Sequence, residues 1–239
     1  MKTIVIQPGP FGDIIECAPI AKYYSDLGHQ IVWPVAAQYY DILTYFDYVT
    51  PEILPDGQIH DDWLQSDVLK IFKLYDVDRF EKVLNLADRG PHPPVQRREL
   101  SASAKAKYRM ADLPFDLKYH LSWTRNPEKE EKLYDKVVGK LTNYVVCHVE
   151  SSTGHSAALP HLNKEIVFVD VVEGFQIFDW LKVFENAEEI YCTESAVHCF
   201  VDNIYKEFFP DKPKFLLRRE GLATGEHYTE SPSWDKRYL

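Results

Sequence analysis

An acid stands directly behind a Pro/Gly loop near the start of the chain, in Pro8-Gly9-Pro10-Phe11-Gly12-Asp13. A short β-branched run, Thr3 to Ile6, precedes the loop. Open α/β sheets bind their ligands at the carboxyl ends of strands. A carboxylate placed there can accept a proton from a hydroxyl and act as a general base. Asp is also a good helix N-cap, because its side chain bonds the free backbone N–H groups. The residues alone leave both roles open for Asp13. Gly9 and Gly12 let a substrate approach the backbone closely. Their spacing is not G-x-G-x-x-G, so a nicotinamide dinucleotide fingerprint is absent.

A second constellation is Cys192-Thr193-Glu194-Ser195-Ala196-Val197-His198. A strand ends near Thr193 and a helix starts near Ser195. Helix N-termini bind phosphate through free N–H groups and the helix dipole. Ser195 adds a hydroxyl there. Glu194 repels phosphate and suits a ribose or sugar hydroxyl. His198 lies one turn into the helix, either as a ligand contact or as a packed structural histidine. Glu150-Ser151-Ser152-Thr153-Gly154-His155-Ser156 follows another strand, and its small hydroxyl residues suit phosphate or sugar as well as a plain polar loop. Glu173 follows a further strand and is a candidate for ribose hydroxyls. Basic residues occur at Arg97-Arg98, at Lys105, Lys107 and Arg109, and at Arg218-Arg219. Each group reads as a solvated face, or as one that meets a diphosphate. The histidines are scattered without metal-ligand spacing, and neither a G-x-S-x-G elbow nor a P-loop is present.

These candidates need a frame that brings strand ends together. Apolar strand-like runs alternate with helical patterns along the 239 residues. Strands are expected at Thr3–Gln7, Ile31–Val35, Lys82–Ala87, Tyr144–Val149, Glu165–Val171, Glu189–Thr193 and Lys214–Arg218. Helices are expected at Asp13–Leu27, Ser101–Asp112, Pro127–Leu141, Gln176–Asn186 and Ser195–Phe208. Such alternation argues for parallel sheets. The pattern occurs twice, with a charged linker or bridging helix at 125–142. The expected fold is therefore α/β, with two Rossmann-like domains, 1–124 and 125–239, facing across a cleft. One continuous sheet is the alternative. The tail from Gly221 to Leu239 has weak periodicity, and either packs back on the body or stays loose.

A net charge of −10 argues against a chain that is mainly a nucleic-acid binder. No apolar run reaches about 18 residues, so no transmembrane segment is expected. A signal-peptide core is not visible near the N-terminus. Cys17, Cys147, Cys192 and Cys199 form no C-x-x-C pair and read as reduced thiols in a cytoplasmic protein.

Two groups of these residues together resemble the GT-B glycosyltransferases, and most closely the heptosyltransferase-like glycosyltransferase family 9. The first is Ile4-Val5-Ile6, Phe11-Gly12-Asp13-Ile14-Ile15 and Ala18-Pro19. The second runs from Ala187 through Ile190 and Glu194-Ser195 to His198. Ala196 stands where many members have Gly, and Ala157-Ala158-Leu159-Pro160 stands where a Lys-x-Trp-Pro is usual. The resemblance implies an inverting, metal-independent transferase of hexosyl or heptosyl type. Asp13 is then catalytic. The resemblance puts the donor, a nucleotide-diphosphate sugar, against Glu194, Ser195 and His198, and the reading of the strand-end loops adds Ser151, Ser152 and Glu173 as donor contacts. Gly12, Arg97 and Arg98 contact acceptor or diphosphate. No cofactor is implied. The acceptor stays open among glycan, lipid-linked sugar, protein and modified nucleic-acid base. Two rivals share the scaffold: a nucleotide-sugar epimerase or hydrolase, and a nucleotide-binding protein without catalysis.

Overall fold

The computed structural model describes residues 1–54, 71–87, 104–151, 156–218 and 234–238. The chain divides between Thr124 and Arg125 into two compact units. Each holds its own parallel sheet, so the single continuous sheet is excluded.

The first unit carries strands β1 (Lys2–Ile6), β2 (Gln30–Val35), β3 (Val49–Ile53) and β4 (Lys82–Asn85) in the order β3-β2-β1-β4. All pairs are parallel, with Thr3 beside Ile31 on one side and Lys82 on the other. This is the strand order of a mononucleotide-binding Rossmann half, and it reverses direction between β1 and β4. β1 and β2 are central and nearly all apolar, and Ile4, Ile6, Trp33 and Val35 are fully buried. Strands covered on both faces read this way. β3 was not expected. Its VTPEI carries a proline, which an edge strand tolerates because one side of its ladder is unpaired.

Helix α1 (Phe11–Asp26) returns from β1 across the sheet. It begins two residues earlier than expected, and Pro10 is its N-cap. Gly28 ends it with φ of +87°, a left-handed conformation that suits glycine after a helix. A short helix, α2 (Tyr40–Leu43), precedes β3. Helix α3 (Ala104–Met110) packs on α1: the Tyr108 hydroxyl donates to the Glu16 carbonyl at 3.1 Å. The Tyr24 hydroxyl donates in return to the Ala111 carbonyl at 3.0 Å.

The second unit opens with α4 (Pro127–Val137). Asn126 caps it and Arg125 grips Glu130 with two bonds, 2.9 and 2.6 Å. Its strands are β5 (Tyr144–His148), β6 (Glu165–Phe168), β7 (Glu189–Thr193), β8 (Lys214–Arg218) and β9 (Trp234–Tyr238). Their order is β6-β5-β7-β8-β9, all parallel, as in a flavodoxin-like sheet whose direction reverses between β5 and β7. Helices α5 (Leu181–Asn186) and α6 (Ala196–Phe208) follow β6 and β7. A 3₁₀ turn at Ile177–Trp180 replaces the first part of the helix expected there. Phe178 and Phe184 both contact Phe200 of α6 and fill the core. The end of the tail is ordered as β9. Trp234 is buried and donates its Nε1–H to Asp202 of α6 at 2.7 Å, which pins an otherwise polar strand, WDKRY, to the sheet.

Candidate active site

Both sheets place candidate residues at their switch points. In the first unit, the chain leaves β1 through Gln7-Pro8-Gly9-Pro10 and turns at once into α1. Gly9 has φ of +148°, and a Cβ there would lie 2.2 Å from Cε2 of Tyr39. The space left by the missing side chain is therefore filled by Tyr39, not held open for a substrate. Gly9→Ala is expected to lower stability by about 1–3 kcal/mol, through backbone strain and overpacking together. Adding Tyr39→Ala should restore only the packing share. Urea unfolding of both variants checks this, and a parental midpoint for Gly9→Ala would contradict it.

Asp13 is the third residue of α1, not its cap, which is Pro10. The capping role is thus removed. The carboxylate sits in the first turn, near the positive end of the helix dipole. Its Oδ1 lies 2.9 Å from the ammonium of Lys107 on α3. The Lys107 side chain is 3% exposed and that of Asp13 is 30% exposed. The same ammonium donates to Gln7 Oε1 at 3.2 Å. The Gln7 amide is oriented by its own bond to the Gly9 carbonyl, 2.9 Å, and the Gln7 carbonyl receives Trp33 Nε1–H at 2.8 Å. Burial works against the charge on Lys107, and the facing Asp13 carboxylate overcomes it, so its proton is held more tightly than usual. Cys17, one turn further along α1, is pushed up to about 12, mainly by burial, and stays a thiol. Gly12 is the half-buried second residue of α1. Arg97 and Arg98 lie outside the described residues.

Lys107 is the residue that sequence reasoning missed. It was grouped with Lys105 and Arg109 as a solvated or substrate-facing basic segment. The usable signal was its place in AKAKY: Ala104, Ala106, Lys107 and Tyr108 are all buried.

In the second unit the switch point lies between β5 and β7, and one hydrogen bond spans it. Ser195 Oγ is 3.1 Å from Nδ1 of His148, the last residue of β5. Ser195 also caps α6: its Oγ accepts from His198 N–H at 3.3 Å. The hydroxyl proton goes to the Thr193 carbonyl, 3.1 Å away. With that proton committed, His148 donates through Nδ1–H, and its Nε2 is left as the acceptor of the neutral ring. The Ser195 hydroxyl is therefore already saturated by the protein. Ser151 is half-buried just after β5, and Ser152 lies outside the described residues. Glu194 is half-buried beside Ser195, and Glu173 is exposed in the turn after β6. His198 is 2% exposed, and its ring meets Trp234 edge-on at 4.7 Å. That contact packs β9 against α6. Ser151, Glu173, Glu194 and Ser195 thus all follow strand ends at the carboxyl edge of this sheet.

Burial pushes His148 below its ordinary value, partly countered by the Asp170 charge. The folded state therefore binds fewer protons than the unfolded chain. The associated stability is complete above the ordinary histidine value of about 6.5 and is lost as pH falls through the folded value. His148→Asn should flatten the loss of stability between neutral and mildly acidic pH. Urea midpoints for parent and variant on both sides of that window test the sign.

Among the described residues no group of three His, Cys, Asp or Glu side chains is placed to hold a metal ion. The four cysteines are free, and no described helix is long and apolar enough to cross a membrane.

No protein-family model matches the chain, and no curated protein sequence matches it. Solved structures do match in fold. E. coli ADP-heptose LPS heptosyltransferase II is similar over 100% of this chain and 90% of its own, with a TM-score of 0.59 and 12% identity. A glycosyl transferase of family 9 from Veillonella parvula DSM 2008 is similar over 100% and 86%, with a TM-score of 0.54 and 9% identity. E. coli heptosyltransferase WaaC with ADP is similar over 100% and 91%, with a TM-score of 0.50 and 10% identity. The fold is that of heptosyltransferase-like glycosyltransferases, as the resemblance of residues 4–19 and 187–198 implied.

Proposed function

We propose that this chain is an inverting glycosyltransferase, which moves a sugar from a nucleotide-diphosphate donor to an acceptor hydroxyl without a metal ion. The observation that carries the reading is Asp13: a part-exposed carboxylate at the switch point of the first sheet, held on one oxygen by a buried lysine. The shared fold supports the class, and the likeness to a heptosyltransferase bound to ADP supports a nucleotide donor.

In this mechanism Asp13 accepts the proton of the acceptor hydroxyl while the hydroxyl oxygen bonds to the anomeric carbon. The bond from that carbon to the diphosphate oxygen breaks, and its electron pair leaves with the diphosphate. Attack opposite the leaving group inverts the anomeric configuration. The second unit holds the nucleotide. The free amides at the start of α6 meet the departing negative charge, which is the role a metal ion fills elsewhere. His148 stands beside them, joined to Ser195. Glu173 and Glu194 take ribose or sugar hydroxyls, and Ser151 adds a polar contact after β5.

A thermal-shift screen of nucleotide sugars, followed by product analysis with pooled acceptors, tests the reading. Transfer needs an acceptor, whereas hydrolysis and epimerisation do not. Donor consumption that ignores the acceptor would favour the epimerase or hydrolase, and binding without turnover the non-catalytic reading.

The pocket has its own test. Ser195→Ala removes the cap of α6 and the bond to His148, and should weaken nucleotide binding about 3- to 10-fold by loosening the start of the helix rather than by loss of a direct contact. Ser195→Asp keeps the cap but puts a negative charge where phosphate binds, so it should weaken binding further at near-parental stability. Parental affinity in both variants would move the nucleotide elsewhere.

A further inference from the structure

Lys107 is buried, with its ammonium in an ion pair. Taking an ammonium out of water is expensive, and buried ion pairs return little net stability. The contacts around it all bear on one side of Asp13. The ammonium meets Oδ1 at 2.9 Å and Gln7 Oε1 at 3.2 Å. Gln7 is locked in turn by Gly9 and Trp33, and α3 is locked to α1 by Tyr108 and Tyr24. No bond to Asp13 Oδ2 forms among the described residues. One oxygen of the carboxylate is thus clamped through a chain of buried groups, and the other meets none of the described residues.

We infer that Lys107 is the positioning residue of Asp13, fixing the carboxylate through Oδ1 so that Oδ2 takes the acceptor proton in one defined direction. This rests on the reading of Asp13 as the base. Lys107 touches no reacting atom and acts only through Asp13. Catalytic groups displaced by about 1 Å lose about 10²-fold in rate, so a clamp of this kind has an effect large enough to measure.

The test is a double-mutant cycle on the full chain, with donor and acceptor kinetics and thermal unfolding of every variant. Lys107→Met should lower kcat about 100-fold while each KM stays within about 3-fold, because binding is untouched and only the transition state suffers. Lys107→Arg keeps the cation and should recover to within about 10-fold of the parent. Groups that act as a unit are not additive. Asp13→Asn combined with Lys107→Met should therefore be no slower than Asp13→Asn alone. A merely structural lysine predicts the opposite, with the two losses multiplying in the double variant. That result, or parental kcat in folded Lys107→Met, overturns the inference. Should Lys107→Met not fold, Gln7→Leu carries the test. It keeps the ion pair but removes the second acceptor of the ammonium, and should lower kcat about 3- to 10-fold at constant KM. Unchanged kcat there overturns the inference equally. Failure of the underlying reading looks different: parental turnover in Asp13→Asn removes the base itself, whatever Lys107 does.

Discussion

Asp13→Asn is expected to lower turnover by about 10²- to 10⁴-fold, the usual contribution of a general base, with donor affinity unchanged. Asn has the shape of Asp but cannot take the proton. The substitution leaves the helix cap intact, because Pro10 is the N-cap of α1. It does not leave the fold untouched. The Lys107 ammonium, 3% exposed, keeps a neutral amide oxygen where it had a carboxylate. A loss of about 1–3 kcal/mol of stability should follow from weakening that charge-assisted bond. Asp13→Asn/Lys107→Met removes both charges and should recover much of that stability while turnover stays low. The pair of measurements separates chemistry from folding. A folded Asp13→Asn chain with parental turnover would remove Asp13 from the mechanism.

The frame of the site was readable wherever local pattern and tertiary role agree. β1 and α1 announce themselves as a β-branched run, a Pro/Gly loop and a largely apolar helical stretch, and β7 and α6 as an apolar run followed by a serine at the helix start. Both loops fall at sheet switch points, which follow from strand order once the sheets are parallel. What stayed hidden depends on partners distant in sequence. Lys107 looks like its solvated neighbours because its burial is decided by α1, far away in the chain. His148 carries no motif, and gains meaning only when parallel pairing sets β5 beside β7 and brings Ser195 within 3.1 Å. Edge strands were the other blind spot. β3 contains Pro51, and β9 is mostly charged, features that protect a sheet edge and erase the apolar signal of a strand. Asp13 was legible as a candidate, and the backbone of Pro10 was needed to show that it does not cap α1.

The largest effect on stability should come from Lys118→Met. Lys118 lies in the 3₁₀ turn Phe115–Tyr119, its side chain is fully buried, and its ammonium is 3.8 Å from Glu16 Oε2. It also sits 5.1 Å from the centre of the Phe115 ring. Glu16 is one turn past Asp13 on α1, with its side chain 6% exposed. Methionine fills a similar volume, so little packing is lost, but the carboxylate loses its buried cation. Breaking a buried pair from one side costs about 3–5 kcal/mol, whereas replacing both members by apolar groups of similar size is often neutral. Lys118→Met should therefore destabilise by about that amount, and adding Glu16→Met should return most of it. Urea unfolding of the single and double variants measures the difference. The asymmetry is the informative part, because Met at position 118 is present in both chains. If the double variant is as unstable as the single, the loss comes from packing around Lys118 and its aromatic neighbours, not from the charge left on Glu16. If it recovers, α1 is held in its register beside Asp13 by a buried charge pair, and damage to that pair should reach catalysis only through the helix that carries the base.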